Sequence, residues 1–232
     1  MKLLLFDIDG TILHANGTGR TAIENALAKL CGCPISTESV TFSGKTDPQI
    51  MREILTANDI NPTPAQVDEA LAVYESVASG QLSAADVTLL PGVADLLNRL
   101  NRRNDVTLGL LTGNIRPMAY EKLSAAGQDH YFPFGAFGSD HGERSQLPAI
   151  AVRRAQAQSG HTFSGRDVVI IGDTPNDIQC GDGIGAFAVG VCTGRYDRPD
   201  LAPYEPDALL DDLRAADAFM QHVVDVSPNP AP

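Results

Sequence analysis

The chain has 232 residues, 43% hydrophobic and 20% charged, as in ordinary globular proteins, and it lacks an apolar stretch long enough to span a bilayer. Its 29 acidic and 17 basic residues give a net charge of −12, which argues against nucleic acid as the main partner. The length exceeds one typical domain but is short for two, which predicts one core with an inserted or appended subdomain.

The chain begins with an apolar run over residues 2–6 that acidic residues then interrupt. We interpret this run as a buried first strand of a cytoplasmic protein rather than as a signal peptide. Asp7 and Asp9 follow it, and because strand side chains alternate, both would project the same way beyond its carboxyl end. Two carboxylates so close are unfavourable unless a cation or a proton intervenes. Taken alone, the pair is equally typical of an acidic turn.

Residues 15–87 carry helical patterns without a convincing core strand. Thr18 is a candidate cap for a helix to about residue 30, and Cys31-Gly32 would end it. Asp47 before Pro48 and Thr63 before Pro64 have the form of further helix starts, the last helix reaching about residue 79. We predict an inserted helical cap with linkers over 13–17 and 84–91, which would close over the core as a lid. The alternative is that these helices extend the core.

Apolar strand-like runs alternate with helical patterns through the rest of the chain, which predicts a parallel sheet flanked by helices. The predicted helices cover residues 92–101 and 147–158. The predicted strands cover residues 3–6, 107–111, 135–138, 168–171, 186–191 and 208–210. We therefore predict an α/β fold with a Rossmann-like core over residues 1–14 and 88–226, a cap over 15–87 and a disordered tail over 227–232.

A second pair of acids, Asp173 and Asp177, follows the predicted strand over residues 168–171. Ligands bind at the carboxyl ends of the strands in an open parallel sheet. Both acid pairs and Thr112 lie at such ends, so the second pair makes a catalytic metal centre a better explanation than two unrelated acidic turns.

Three segments resemble the first, second and fourth motifs of the haloacid dehalogenase-like hydrolase superfamily. They are residues 7–13 (DIDGTIL), 110–114 (LLTGN) and 171–177 (IGDTPND). The helical insertion after the first motif is similar to the helical cap of that superfamily. The resemblance covers nearly the whole chain and implies a Rossmann-like core, Mg²⁺ and an aspartyl-phosphate intermediate, with phosphoglycolate phosphatases as the nearest analogy.

The resemblance and the chemistry of phosphoryl transfer together assign the four acids. Asp7 is the expected nucleophile and a magnesium ligand, because a carboxylate nucleophile divides hydrolysis into two easier steps. Asp9 is expected to protonate the leaving group, to activate water, and to offer its backbone carbonyl to the metal. Asp173 is an expected direct metal ligand, and Asp177 is expected to support the metal directly or through water.

The second motif would contact the transferring phosphoryl group. Thr112 resembles the hydroxyl donor of the family, and the amides of Gly113 and Asn114 would add contacts. The alternative for Thr112 is that it ends a strand or caps a helix starting at Ile115.

The third motif departs from the family pattern, because residues 142–148 (GERSQLP) have no lysine. Arg144 is our candidate for the missing cation, since a guanidinium is always charged and binds phosphate in a bidentate manner. A solvated surface arginine is the alternative, and Arg153 and Arg154 lie nearby in sequence.

Residues 42–47 (FSGKTD) of the insertion resemble a cap loop that meets the substrate in several relatives. Lys45 would reach a carboxylate or second anionic group, helped by the flexible Gly44; the alternative is an exposed surface lysine. His14 would line the entrance of the active site; the alternative is a linker residue without a functional role.

The leading hypothesis is a magnesium-dependent phosphatase for a small phosphomonoester, either phosphoglycolate-like or a sugar phosphate. A phosphomutase would keep all four acids, whereas a dehalogenase lacks the second acid of the first motif. A phospho-accepting receiver module is disfavoured by its shorter chain, and a non-catalytic phosphate-binding protein remains an alternative. The expected partner is a small phosphorylated metabolite, with neither nucleic acid nor membrane, and the expected state is a monomer or homodimer.

Overall fold

The computed structural model describes residues 1–225, and a parallel β-sheet lies at its centre. The strands of this described part are β1 (Lys2–Phe6), β2 (Leu13–His14), β3 (Thr88–Leu89), β4 (Val106–Leu111), β5 (Gly135–Ala136), β6 (Val168–Gly172), β7 (Phe187–Val191) and β8 (Ala208–Leu210). Six of them form one sheet in the order β5-β4-β1-β6-β7-β8, and every neighbouring pair is parallel. The predicted α/β class with a Rossmann-like core is confirmed.

The predicted strands are all present, with small differences at their ends. The largest is at β5, which ends at Ala136 rather than at residue 138. Beyond Ala136 the regular ladder stops, and the Gly138 amide donates instead to the carbonyl of Asn114, past the end of β4, at 2.9 Å.

Helices cover both faces of this sheet and form the insertion. The α-helices of residues 1–225 are α1 (Thr18–Cys31), α2 (Asp47–Ala57), α3 (Pro64–Ala78), α4 (Val93–Leu100), α5 (Arg116–Ala125), α6 (Leu147–Ser159), α7 (Pro175–Gln179), α8 (Arg198–Leu201) and α9 (Ala216–Phe219). Strand β1 is buried along its whole length, as a central parallel strand should be. Its Leu4 and Phe6 join a cluster with α4, α5 and α9, whereas Leu3 and Leu5 join α6 on the opposite face.

The strand order reverses around β1, which positions the site. The chain passes from β1 to β4 on one side and later crosses to β6 on the other. Loops that leave the carboxyl ends of strands at such a reversal diverge and open a crevice where ligands bind.

Helices α1, α2 and α3 pack together around a separate apolar cluster that includes Ile23, Ile54 and Tyr74. At the two ends of this unit, β2 and β3 pair antiparallel, with Leu13 opposite Leu89. The sequence predicted only linkers there, because two-residue strands carry no periodic signal. The ladder holds the entry and exit of the helical insertion side by side. The division into a core and a cap stays a prediction.

Two of the three predicted helix caps were wrong by one residue. Gly17, in the left-handed conformation (φ 83°), precedes α1, while the hydroxyl of Thr18 donates to the Ala15 carbonyl at 2.7 Å. The cap of α2 is Thr46, whose hydroxyl accepts from the Gln49 amide. Thr63 caps α3 as predicted, in a reciprocal arrangement with Gln66.

No helix within residues 1–225 is both long and apolar enough to cross a membrane. The cytoplasmic location therefore stays a prediction. The tail predicted over residues 227–232 lies outside the described residues.

Candidate active site

Three of the predicted acids, Asp7, Asp173 and Asp177, meet at the crevice above β1 and β6. Asp7 and the fourth acid, Asp9, line a cavity of about 470 Å³ there. The core lines this cavity with Asp7, Asp9 and Thr112, and the helical insertion lines it with Arg20 and Lys45. A single site is thus built from both parts of the chain.

Three of the acids form a buried cluster. Carboxylate oxygens of Asp7, Asp173 and Asp177 all lie within 4.8 Å of one another. Glycines allow this approach, because a Cβ on Gly194 would lie 1.7 Å from Asp173 Oδ2, and one on Gly10 would lie 2.5 Å from the same atom. Gly10 also has a positive φ (83°), which a larger residue adopts only with strain. The fold therefore reserves the space around Asp173.

The negative charge of this cluster exceeds the positive charge of the groups around it. Burial raises the pKa of Asp7 to about 6, against the lowering effect of Arg144 and with further repulsion from Asp177 and Asp9. Burial and the charges of Asp177 and Asp7 raise the pKa of Asp173 well above its usual range. Such a set of hard, anionic oxygens fits a divalent cation, which together with Arg144 would balance the charge of the three carboxylates. Asp9, in contrast, places its carboxylate outside this cluster.

Arg144 is the cation that faces the cluster. It lies in the helical turn Arg144–Gln146 before α6, and its Nη2 is 3.2 Å from Asp7 Oδ1 and also pairs with Asp177. Only 7% of the residue is exposed, and its Nε has no hydrogen-bond acceptor within residues 1–225. The alternative of a solvated surface arginine is wrong. Arg154 pairs with Asp140 instead, with Nη2 2.7 Å from Oδ1.

Asp177 has a structural role beside any metal role. Its Oδ1 accepts from Arg144, and its Oδ2 accepts from the Thr174 hydroxyl at 2.6 Å and the Thr174 amide at 3.0 Å. Thr174 in turn caps α7 by accepting from the Asp177 amide. The fourth motif therefore fixes the start of α7 and the position of this carboxylate together.

Sequence reasoning missed a second buried cation, Lys122 of α5. Its Nζ lies 2.9 and 2.7 Å from the two carboxylate oxygens of Asp9 and 2.6 Å from Asn114 Oδ1. The residue is 5% exposed. One feature of the sequence could have indicated that Lys122 is buried: it lies one helical turn after Met118, on the same face of α5.

Asn114 connects the second motif to Asp9 through its side chain as well as its backbone. Its Nδ2 donates to Asp9 Oδ2 and to the Thr112 hydroxyl, each at 2.8 Å. Burial would raise the pKa of Asp9, but the charge and hydrogen bonds of Lys122, with the Asn114 amide, hold it below its usual range. Asp9 is therefore held as a carboxylate on the side of the cavity away from the acidic cluster.

Thr112 follows β4 directly, with a fully buried side chain that lines the cavity. It does not cap the following helix, because the Ile115 amide donates to Asp47 Oδ2 at 2.7 Å. The capping alternative for Thr112 is wrong. Asp47 of the insertion accepts the hydrogen bond at the start of α5 instead. A role for Thr112 toward a phosphoryl group stays a prediction.

Residues 42–47 of the insertion lie directly on the core. A Cβ on Gly113 would lie 2.0 Å from the Lys45 carbonyl oxygen, so the close approach requires glycine. The Asp47 amide donates to the Gly113 carbonyl at 2.8 Å, and Asn176 Nδ2 donates to the Gly44 carbonyl at 2.8 Å. The loop therefore packs against the second motif and forms one wall of the cavity.

Lys45 lines the cavity, but its ammonium is paired with Glu53 of α2. Its predicted role in substrate binding remains a prediction. His14 is exposed at the rim of the same cavity.

Comparisons with known proteins agree with this geometry. A model of the haloacid dehalogenase-like hydrolases matches residues 1–185. A phosphoglycolate phosphatase of Pseudomonas fluorescens (strain Pf0-1) is 26% identical over 215 residues, which are 92% of this chain and 77% of that protein. A second, from Pectobacterium atrosepticum, is 26% identical over 210 residues, 90% of this chain and 87% of that protein.

Among solved structures, a predicted phosphoglycolate phosphatase from Haemophilus somnus 129pt has a TM-score of 0.72 at 21% identity, covering 95% of this chain and 98% of that one. A β-phosphoglucomutase from Clostridium difficile has a TM-score of 0.71 at 18% identity, covering 97% and 98%. At these identities the two structures establish the shared fold alone.

Proposed function

This chain belongs to the haloacid dehalogenase-like hydrolase family, and from that membership we propose that it is a magnesium-dependent phosphatase of a small phosphomonoester. The observation that carries the proposal is the separation of two neighbouring acids. Asp7 lies in the acidic cluster, while Asp9, two residues later, is held apart by Lys122 and Asn114. A phosphatase that forms an aspartyl phosphate needs one acid as nucleophile and another as proton carrier.

In the first step a carboxylate oxygen of Asp7 attacks phosphorus as the ester P–O bond breaks, giving an aspartyl phosphate. Asp9 gives a proton to the leaving oxygen. Lys122 opposes protonation of Asp9, and an arriving phosphate dianion counters that effect because a like charge raises a carboxyl pKa. Arg144 faces the developing charge on the phosphoryl group, and Thr112 offers a hydroxyl to it.

In the second step Asp9 takes a proton from water, and the resulting hydroxide attacks phosphorus to release phosphate and regenerate Asp7. The pairing of Asp9 with Lys122 favours the carboxylate form that this step requires. Asp7, Asp173 and Asp177 would hold the magnesium ion with the Asp9 carbonyl. When bound, the ion would offset part of the negative charge of these carboxylates and of the phosphoryl oxygens, and would so allow a dianionic substrate to approach.

Both Asp177 oxygens already accept hydrogen bonds, which supports its contact with the metal through water. The acid at position 9 disfavours a dehalogenase. The proposed substrate is a small phosphorylated metabolite, and a monomeric or homodimeric state stays a prediction.

The test is phosphate release from p-nitrophenyl phosphate with added Mg²⁺ and with EDTA. We expect metal-dependent release that Asp7→Asn abolishes and Asp9→Asn reduces by about 100-fold or more. Asp68→Asn, an exposed acid on α3, is the matched control and should keep full activity. An inactive wild type, or an active Asp7→Asn, would contradict the proposal. Transfer of phosphate between sugar positions without net release would identify a phosphomutase instead.

A further inference from the structure

Arg20, in the first turn of α1, lines the cavity from the side of the helical insertion. Its Nη1 donates to the Thr37 carbonyl at 2.7 Å and to the Thr37 hydroxyl at 2.8 Å, and its Nη2 donates to the Val40 carbonyl at 3.2 Å. The guanidinium carbon lies 4.0 Å from the centre of the Phe42 ring. These contacts fix the guanidinium in one place, so little side-chain entropy remains to be lost on binding a ligand.

The charge of Arg20 is not neutralised in the way that the other cavity cations are. Lys122 pairs with Asp9, Arg144 with Asp7 and Asp177, and Lys45 with Glu53. Arg20 has no carboxylate within 4.0 Å anywhere in residues 1–225, because its partners there are two carbonyls, a hydroxyl and a ring. The connection to Glu24 is indirect, through the Thr37 hydroxyl, which donates to that carboxylate.

Arg20 also keeps donors for a ligand. A guanidinium has five N–H groups, and the contacts with Thr37 and Val40 account for three of them. Its Nε and the second N–H of Nη2 have no acceptor within residues 1–225. One wall of the cavity therefore carries a fixed positive charge, and two N–H groups of Arg20 have no acceptor within residues 1–225.

The cavity is larger than a phosphoryl group needs. Its volume of about 470 Å³ is in the usual range for small-molecule sites, and the insertion contributes Ile23, Phe42 and Ile50 to its walls. A substrate whose phosphate meets Asp7 would extend its leaving group toward the insertion. Arg20 would bind an anion on this leaving group more strongly than any neutral polar substituent, because hydrogen bonds between charged partners are the stronger ones.

We propose that Arg20 determines specificity by binding a second anionic group, a carboxylate or another phosphate, on the leaving group of the substrate. This inference rests on the proposed phosphatase function and narrows it, since neutral sugar monophosphates would be poor substrates. Arg20 would thus take the anion-binding role predicted for Lys45, whose charge Glu53 already neutralises.

The test uses three substrates that differ in one group: 2-phosphoglycolate, its uncharged amide 2-phosphoglycolamide, and ethylene glycol bisphosphate. Wild type should have a kcat/KM at least about tenfold higher for one of the two anionic compounds than for the amide. The two anionic compounds distinguish a carboxylate from a second phosphate. Equal kcat/KM for all three in the wild type would overturn the inference without any variant.

The variants separate binding from folding. Arg20→Gln should lower kcat/KM for the preferred anionic substrate by roughly 10- to 100-fold and for the amide by less than about threefold. Arg20→Lys keeps the charge without the planar fork and should lose less. Arg52→Gln removes an exposed positive charge from α2 outside this cavity and should change neither value.

An equal loss for charged and uncharged substrates in Arg20→Gln would show that Arg20 only supports residues 37–42, and would overturn the inference. Hydrolysis of p-nitrophenyl phosphate distinguishes failure of the Arg20 inference from failure of the phosphatase proposal. If wild type hydrolyses that compound but does not prefer an anionic substrate, the phosphatase proposal survives and the Arg20 inference fails. If it hydrolyses none of the four, the phosphatase proposal fails too.

Discussion

Lys122 Nζ lies 2.7 Å from Asp9 Oδ2, a buried ammonium from α5 against the second acid of the first motif. The two residues are 113 positions apart in the chain. Asn114 contacts both residues, so two donors that are bonded to each other hold the Asp9 carboxylate outside the acidic cluster. Lys122 is thus a positioning residue for the proposed proton carrier.

Replacing Lys122 by Met should keep the fold and lower kcat. The Asp9 side chain is 43% exposed to the cavity, so water can replace the lost ammonium, but the carboxylate will no longer be held in one orientation. We expect kcat for p-nitrophenyl phosphate to fall by roughly 10- to 100-fold with a smaller change in KM. Lys122→Arg should recover part of the loss, whereas Lys29→Met, an exposed lysine of α1, should behave as wild type. An unchanged kcat would remove Lys122 from the mechanism.

Replacing Arg144 tests the buried charge balance. Without its guanidinium, Asp7, Asp173 and Asp177 lack their nearest cation, and breaking such a buried pair typically costs about 3–5 kcal/mol. We expect Arg144→Met to lower the melting temperature in EDTA and to respond to Mg²⁺ with a larger rise than wild type does. Thermal melts with and without Mg²⁺ measure both effects.

The control for this charge balance is Arg154→Met, which removes an arginine whose side chain is 40% exposed. It should cost about 1 kcal/mol or less and show the wild-type response to Mg²⁺. A loss in Arg144→Met no larger than this would show that the cluster does not depend on the guanidinium.

Much of this site could be predicted from the sequence, because its acids follow strands whose apolar runs are unmistakable. The carboxyl ends of adjacent parallel strands must lie together, so the meeting of Asp7 with Asp173 follows from the strand order alone. Arg144 was found because it occupies the place of a known motif. Lys122 was not, since one lysine in an amphipathic helix is normally solvated, and only the tertiary packing of α5 buries it.

Arg20 and Asp47 were missed for a related reason. Each owes its importance to backbone groups of another segment, the Thr37 carbonyl for Arg20 and the Ile115 amide for Asp47. Contacts between a side chain and a distant backbone leave no residue-type pattern in a sequence. Lys45, in contrast, lines the cavity as expected, but its positive charge is neutralised by Glu53 of α2.

The buried carboxyl of Asp47 should make stability depend on pH. Burial raises its pKa to about 6, against the lowering effects of Lys122 and the Ile115 amide. The unfolded chain releases this proton near pH 4, so the folded state loses relative stability as pH rises from about 4 to 6, and the loss is constant above that range. The loss is at most about 3 kcal/mol at neutral pH.

Asp47→Asn should remove this dependence while its amide oxygen still accepts from Ile115. Urea unfolding between pH 4.0 and 7.5 should show the free energy of unfolding of the variant rising relative to wild type up to about pH 6 and then running parallel. The exposed Asp68→Asn should run parallel to wild type throughout. A constant difference between Asp47→Asn and wild type across this range would mean that Asp47 titrates as an ordinary carboxyl.

Gly113 should control closure of the loop over residues 42–47. A methyl group there would lie 2.0 Å from the Lys45 carbonyl oxygen and 3.0 Å from Thr46 Cα, both backbone atoms that a side-chain rotation cannot move. We therefore expect Gly113→Ala to displace the loop and break the hydrogen bond from the Asp47 amide to the Gly113 carbonyl. We expect kcat/KM for p-nitrophenyl phosphate to fall by about tenfold or more, since water then enters the cavity.

Hydrogen exchange reports the same event without activity, because the Asp47 amide should exchange much faster in Gly113→Ala than in wild type. Gly183→Ala is the matched control, as no atom lies within 4 Å of its added Cβ and its φ is not positive. It should leave both the exchange rate and kcat/KM unchanged. Protection of the Asp47 amide in Gly113→Ala equal to wild type would show that the core accommodates the methyl group by moving the second motif instead of the loop.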